Sequence, residues 1–275
     1  VILKPLRPLL LLSAVLITML VTVPRAAHAD TPVLVFAAAS LTNAVTEIAR
    51  AFEAETGRPV TPVFDATSRA ARQITEGAPA QMLIAANRDW VDWLITCGQA
   101  EATSRQVLAR NTLVLVAASR AATTDEVFSE QNPLLDVRRF AIADPEGVPA
   151  GIYARQSLEA IGMWDRLEAR LIRGDNVRTV LAWVGTGAAD AGLVYASDAA
   201  IAPRLAVAAV VPDHLHDAIL YEAVLTRDAP AEAQAFLSYL SSDSARKVFT
   251  GFGFSSPPPA DQIQPQPSPT AEACG

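Results

Sequence analysis

Two cysteines and three histidines are all that this chain of 275 residues holds of the side chains most used for transition-metal binding and nucleophilic chemistry. Cys97 and Cys274 are too few to staple a weak fold, and they exclude a cysteine-rich metal site. His28 falls in the N-terminal segment. His214 and His216 lie two apart among Asp213 and Asp217, with no H-E-x-x-H spacing and no third ligand placed by motif, so they read as a solvated loop. No G-x-S-x-G elbow, phosphate-cradling glycine loop or dinucleotide fingerprint is present, and Gly185-Thr186-Gly187 reads as a helix ending. Basic charge is also short. Lys and Arg number 22 against 29 Asp and Glu, a net of −7, which argues against a nucleic-acid partner. Past the first two dozen residues no apolar run approaches membrane-spanning length.

What the chain does have is apolar content, 51%, enough to bury a sizeable core. It opens with Lys4 and Arg7, an apolar run from Leu9 to about Val23, then Pro24 and Ala27-His28-Ala29. Those are the parts of an export leader cleaved after Ala29, and the run is too short to cross a ~30 Å hydrocarbon core. Residues 1–29 are therefore expected to be a signal peptide and the remainder a periplasmic protein. Downstream, short apolar strands alternate with amphipathic helices. Strands are expected at 33–36, 60–64, 82–86, 113–118, 140–142, 193–195, 207–211 and 218–225. Helices are expected from Leu41 (with Ser40 as its cap) and at 70–76, 88–96, 151–161, 177–184, 231–240 and 243–250. This alternation predicts an α/β protein with helices on both faces of mixed sheets. The four tryptophans fall in helical patterns and read as packing residues. Residues 256–275, rich in proline, glutamine and serine, are expected to be a disordered tail whose removal leaves folding unchanged. A disulfide between Cys97 and Cys274, a free thiol and an intermolecular link all remain open in an exported chain.

Small polar residues gather at the strand-to-helix junctions of both halves: Ala37-Ala38-Ala39-Ser40, Asp65-Ala66-Thr67-Ser68, Asp144-Pro145 and Pro149-Ala150-Gly151. Each is an ordinary cap when taken alone. Together they offer uncapped backbone N–H groups and hydroxyls from two halves of the chain, which is what an anion held without lysine requires.

These segments carry a specific resemblance. Val35-Phe36-Ala37-Ala38-Ala39-Ser40-Leu41-Thr42-Asn43-Ala44, Ala71-Arg72-Gln73-Ile74, Gly77-Ala78-Pro79-Ala80, Asp144 through Ala154, Asn176-Val177-Arg178, Gly192-Leu193-Val194-Tyr195 and Ser197-Asp198-Ala199 run in the order found in periplasmic molybdate-binding proteins of ABC importers. The resemblance spans residues 33 to about 254. It implies the class II periplasmic binding protein fold, two Rossmann-like α/β lobes joined by two crossover strands. Lobe 1 would comprise 30–110 and 222–255, and lobe 2, with a core of its own, 111–221. Carried over residue by residue, it implies an oxyanion site of Ser40, Thr67, Ala150, Val177 and Tyr195, with Ser68 the alternative to Thr67 if the register shifts by one. It further implies a monomer without cofactor or catalysis, whose partners are molybdate or tungstate and an inner-membrane permease.

The segment Asp65-Ala66-Thr67-Ser68-Arg69 departs from the family's small-residue pattern. Asp65 would repel a dianion if aimed at it, so it is expected to cap the next helix or to pair with Arg69; Arg69 could instead reach the cleft. Asp144, Glu146 and Arg178 are expected to fix local loops or pair with one another. Two other readings stand beside the first: a receptor of the same architecture for sulfate, phosphate or another oxyanion, and a secreted hydrolase, for which no nucleophile, base or metal site is assembled.

Overall fold

The computed structural model describes residues 31–118, 127–259 and 274, so the expected leader and most of the expected tail lie outside the described residues. Among the described residues, ten strands form two five-stranded sheets. The first has the order β2 (Val60–Asp65), β1 (Val33–Ala38), β3 (Met82–Ala85), β10 (Leu220–Leu225), β4 (Gln106–Arg110). The second has the order β7 (Leu171–Gly174), β6 (Phe140–Ala143), β8 (Ala191–Tyr195), β5 (Leu113–Ala117), β9 (Ala206–Val210). In the first, β1 runs parallel to β2 and β3, and β10 enters antiparallel to β3 and β4. The second repeats the scheme, with β6 parallel to β7 and β8, and β5 antiparallel to β8 and β9. The central strands β3, β5, β6, β8 and β10 are buried at every position. Strands covered by helices on both faces must be apolar throughout, which is why they read as unbroken apolar runs.

The helices are α1 (Thr42–Thr56), α2 (Thr67–Thr75), α3 (Arg88–Thr96), α4 (Pro149–Ala160), α5 (Trp164–Glu168), α6 (Val177–Thr186), α7 (Ala196–Ala200), α8 (Ala231–Leu240) and α9 (Asp243–Gly251). Several starts differ from the sequence pattern. Helix α2 begins at Thr67 and not near Ala70, and α4 at Pro149 and not Gly151. Ser40 is not a cap: it sits inside a 3-10 turn, Ala39–Leu41, that leads into α1. Strands β4 and β7 and helices α5 and α7 were not apparent from periodicity.

The chain leaves the first sheet after Arg110, enters the second at Leu113, and returns between Val210 and Leu220. The lobes thus have separate hydrogen-bonded sheets, but not the separate cores expected. Buried apolar side chains run continuously from Val35, Ile48 and Phe52 through Leu113, Tyr195 and Tyr221 to Phe140 and Val180. The reason is that both crossing strands are central and apolar, and the Tyr195 and Tyr221 rings meet edge-on with centroids 6.2 Å apart. The returning strand is pinned on its other side by Glu222, fully buried, which pairs with Arg88 at 3.0 Å and with Arg105.

Cys97, just past the end of α3, is bonded to Cys274. The far end of the tail is therefore tied to the first lobe, and Ser255 exchanges both backbone hydrogen bonds with Arg110. Of the three states left open for the cysteines, the structure shows the disulfide. Thiol alkylation without reductant should label neither cysteine of the exported protein. Reduction should lower stability to urea by up to ~5 kcal/mol, the chain-entropy limit for residues 177 apart. Labelling of either cysteine in the unreduced protein would contradict the crosslink.

Candidate functional site

All parallel strands of one sheet point their carboxyl ends the same way, and the loops leaving those ends are where α/β sheets bind ligands. Here the register sets Ala38 beside Asp65 in the first sheet and Ala143 beside Gly174 in the second. The segments that follow meet around one pocket of about 220 Å³, open solvent at its mouth included. Its walls hold Ser40, Thr67, Ala150, Val177 and Tyr195, all five residues singled out in the sequence, together with Asp65, Ala86 and Asn176. Ser68 is not in the wall, so the structure brings Thr67 and not its neighbour to the pocket.

From the first lobe come two hydroxyls. Ser40 Oγ lies 2.8 Å from the Tyr221 hydroxyl, and no side chain caps the turn that carries Ser40. Thr67 is the first residue of α2, whose N-cap, Ala66, has no side chain to satisfy the first-turn N–H groups. The Thr67 hydroxyl accepts from Ala86 N–H at 3.1 Å, which leaves its own proton for another acceptor. Asp65 does not cap α2. Its carboxylate accepts from Ala66 N–H at 2.7 Å and pairs with Arg69 at 2.9 Å, so the one acid in the wall is neutralised by its neighbour.

From the second lobe come two backbone donors, each isolated by a different device. In α4, Pro149 has no N–H, and Gly151 N–H turns back to Val148 C=O at 2.8 Å, leaving Ala150 as the outward donor. Gly151 is required there because a Cβ would stand 2.3 Å from Ala143 C=O. In α6, Asn176 caps the N–H groups of Arg178 and Thr179 at 2.9 and 3.1 Å and leaves Val177 N–H outside the cap. The fifth donor is Tyr195, 1% exposed, whose hydroxyl has no hydrogen-bond partner among the described residues. Burial drives its pKa well above that of an ordinary phenol, so it stays a donor. An unpaired buried hydroxyl costs stability, and this one lies in the pocket wall.

Other groups at the cleft were missed in the sequence. Trp90, expected to be a packing residue, donates from Nε1 across to Gly147 C=O at 2.9 Å. Tyr153, on α4, donates to Ala86 C=O and accepts from Asn87, both at 3.2 Å. Arg178 reaches from α6 to Ser40 C=O and Asn43 Oδ1, each at 3.0 Å, while pairing with buried Asp198. Asp144 accepts from Glu146 N–H and Glu146 pairs with Arg155, so Arg178 joins the two lobes instead of those neighbours. Burial raises the Asp198 carboxyl to a pKa of about 6 even with Arg178 opposing the shift. His216 bonds back to Asp217 C=O, and no cluster able to hold a metal exists among the described residues.

Comparison with known proteins agrees with this geometry. The family model for bacterial extracellular solute-binding proteins matches residues 33–255. The molybdate-binding protein ModA of Escherichia coli is 39% identical over 226 residues, 81% of this chain and 88% of that protein. The ModA protein of Haemophilus influenzae is 35% identical, covering 82% and 91%. Among solved structures, the periplasmic molybdate-binding protein of Azotobacter vinelandii superposes with a TM-score of 0.74 at 25% identity, over 82% of this chain and all of that one. The sulfate-binding protein SubI of Mycobacterium tuberculosis, 16% identical over 84% of this chain and 88% of that one, shares the fold with a TM-score of 0.69.

The unpaired Tyr195 hydroxyl generates a stability prediction. Tyr195→Phe should leave the ligand-free protein as stable as wild type or raise it by ~1 kcal/mol in urea unfolding, since it removes a buried donor that nothing in the fold satisfies. A loss above ~1 kcal/mol would show that the hydroxyl serves the fold.

Proposed function

Because the chain belongs to the bacterial extracellular solute-binding protein family, we propose that it is the receptor of an ABC importer that closes on molybdate, and on tungstate, in the cleft between its lobes. The observation that carries this reading is the set of neutral donors drawn from both sheets to one pocket: two hydroxyls from the first lobe, two helix-terminal N–H groups and a phenol from the second. It is a binding protein without catalysis, as its family implies. No helix among the described residues is long and apolar enough to cross a membrane, which fits a receptor that hands its ligand to a separate membrane permease in the periplasm.

Molybdate is a tetrahedral dianion with four acceptor oxygens. Hydrogen bonds to a charged acceptor in a shielded cleft are shorter and stronger than neutral ones, so a few aimed donors can replace a counter-ion. With net charge −7 the protein gives no long-range attraction, so capture rests on the local field of helix N-termini and hydroxyls. Hydrogen phosphate brings a proton for which the wall offers only the Asp65 carboxylate, already engaged by Ala66 N–H and Arg69, so seating it costs roughly 1–3 kcal/mol. Sulfate has no such proton, and only its shorter bonds separate it from molybdate.

Calorimetric titration at pH 7.5 with molybdate, tungstate, sulfate and phosphate tests the reading. Ser40→Ala and Tyr195→Phe should each weaken molybdate by roughly 1.5–3 kcal/mol, the scale of a lost bond to a charged acceptor. Thr67→Ala should also weaken it, Thr67→Ser should be tolerated, and Val177→Ala should matter much less because Val177 contributes its backbone. Unchanged affinity in both Ser40→Ala and Tyr195→Phe would refute the site. Sulfate bound as tightly as molybdate would keep the site and replace the ligand.

A further inference from the structure

Ser40 is the one pocket hydroxyl whose neighbour is another hydroxyl, and a pair of hydroxyls can in principle point either way. Here the direction is set two bonds upstream. Asn111 lies in the first crossing between the lobes, 4% exposed, and its Oδ1 accepts from Thr112 N–H at 3.0 Å and Ser197 N–H at 3.4 Å. Backbone N–H groups only donate, so the carboxamide oxygen must be the atom facing them. Its Nδ2 then faces Ser197 Oγ at 2.8 Å and the Tyr221 hydroxyl at 3.1 Å, using both amide protons. An amide nitrogen cannot accept. Tyr221 therefore accepts a hydrogen bond from Asn111, and Ser40 Oγ, 2.8 Å away, is the acceptor left for its own O–H. With that lone pair engaged, the Ser40 proton is left for the pocket that Ser40 lines. Tyr221 is fully buried on the returning strand β10, and burial raises its pKa, so it remains protonated.

We infer that Asn111 and Tyr221 are positioning residues that hold the Ser40 hydroxyl as a donor toward the anion, and that this arrangement biases the pocket against oxyanions carrying a proton. The inference rests on the oxyanion-receptor reading above and deepens it. A free serine hydroxyl can rotate to accept from a protonated anion. A serine already accepting from Tyr221 can do so only with its second lone pair and by turning its own proton away from the pocket, which forfeits the bond it gives to a fully deprotonated anion. Specificity against hydrogen phosphate would then originate in two residues outside the pocket wall, both on the segments that cross between the lobes.

The test is titration of the mature protein at pH 7.5 with sodium molybdate, and with sodium phosphate read by competition, in wild type, Tyr221→Phe, Asn111→Asp and Ser197→Ala. Circular dichroism establishes the fold of each variant. Tyr221→Phe frees Ser40 to rotate. Asn111→Asp replaces the upstream donor with an acceptor and reverses the chain, and it stands as the second probe if the first variant does not fold. Both should lose ~10-fold or more in molybdate affinity while phosphate falls less, so that the molybdate-to-phosphate ratio drops at least ~5-fold. Ser197→Ala removes the other partner of the Asn111 amide from the same buried cluster and should keep that ratio within ~2-fold. An equal loss for both anions, no phosphate competition in either relay variant, or an equal ratio change in Ser197→Ala would overturn the inference. Wild type that fails to bind molybdate would instead sink the receptor reading, and this inference with it.

Discussion

Hydrogen-bond donors that are to hold an anion have to stay unpaired inside a folded chain, where nearly every buried polar group is otherwise matched. Much of the local structure around this cleft follows from that constraint. Proline at the first position of α4 deletes one N–H and a tight turn absorbs the next, so that a single donor is left at Ala150. The Asn176 cap does the same for Val177 by taking the two N–H groups beyond it. Alanine at the N-cap of α2 declines to satisfy the donors at Thr67. Tyr195 is the extreme case, a buried phenol without a partner among the described residues. In each case the fold forgoes some stability at the site, and the loss is offset by the continuous apolar core behind it.

A second demand is that the donors converge only when the lobes are together. The bonds joining the lobes at the rim are of the right kind: Trp90 to Gly147, Tyr153 to Ala86 and Asn87, and Arg178 to Ser40 and Asn43. The Trp90 and Arg178 bonds are part-buried or exposed and the Tyr153 bonds buried, and each contributes modestly in net terms because water competes for the same groups. Arg178 is held in place by buried Asp198, so its reach across the cleft is preset. It sits close to the anion pocket without lining it, and its charge acts through the peptide of Ser40.

Most of the fold was legible in the sequence because its central strands are buried on both faces and therefore apolar at every position. The edges were not. Strand β7, Leu-Ile-Arg-Gly, and strand β4, Gln-Val-Leu-Ala-Arg, are short and half-polar, since an edge needs no continuous apolar face. Helices α5 and α7 have five residues each, too few to display a period. The start of α4 could have been read from Pro149, a residue suited to the first helical position. The pocket residues lie at junctions with local signatures, and the resemblance supplied the rest. Asn111 and Tyr221 had no such signal: Tyr221 meets Ser40 across 181 residues and Asn111 across 110, and only the crossing of the strands brings them together. The reading of Ser40 as a helix cap failed for the same reason, because its partner was remote.

The central claim is that neutral donors from both lobes, and no charged side chain, hold the ligand. A crystal structure of the protein with molybdate tests it directly. The account predicts a single anion with its oxygens ~2.7–3.2 Å from Ser40 Oγ, Thr67, Ala150 N, Val177 N and the Tyr195 hydroxyl, and with the Asp65–Arg69 and Asp198–Arg178 pairs intact. An anion held by the guanidinium of Arg69 or Arg178, or one that leaves the Tyr195 hydroxyl without a partner, would contradict it.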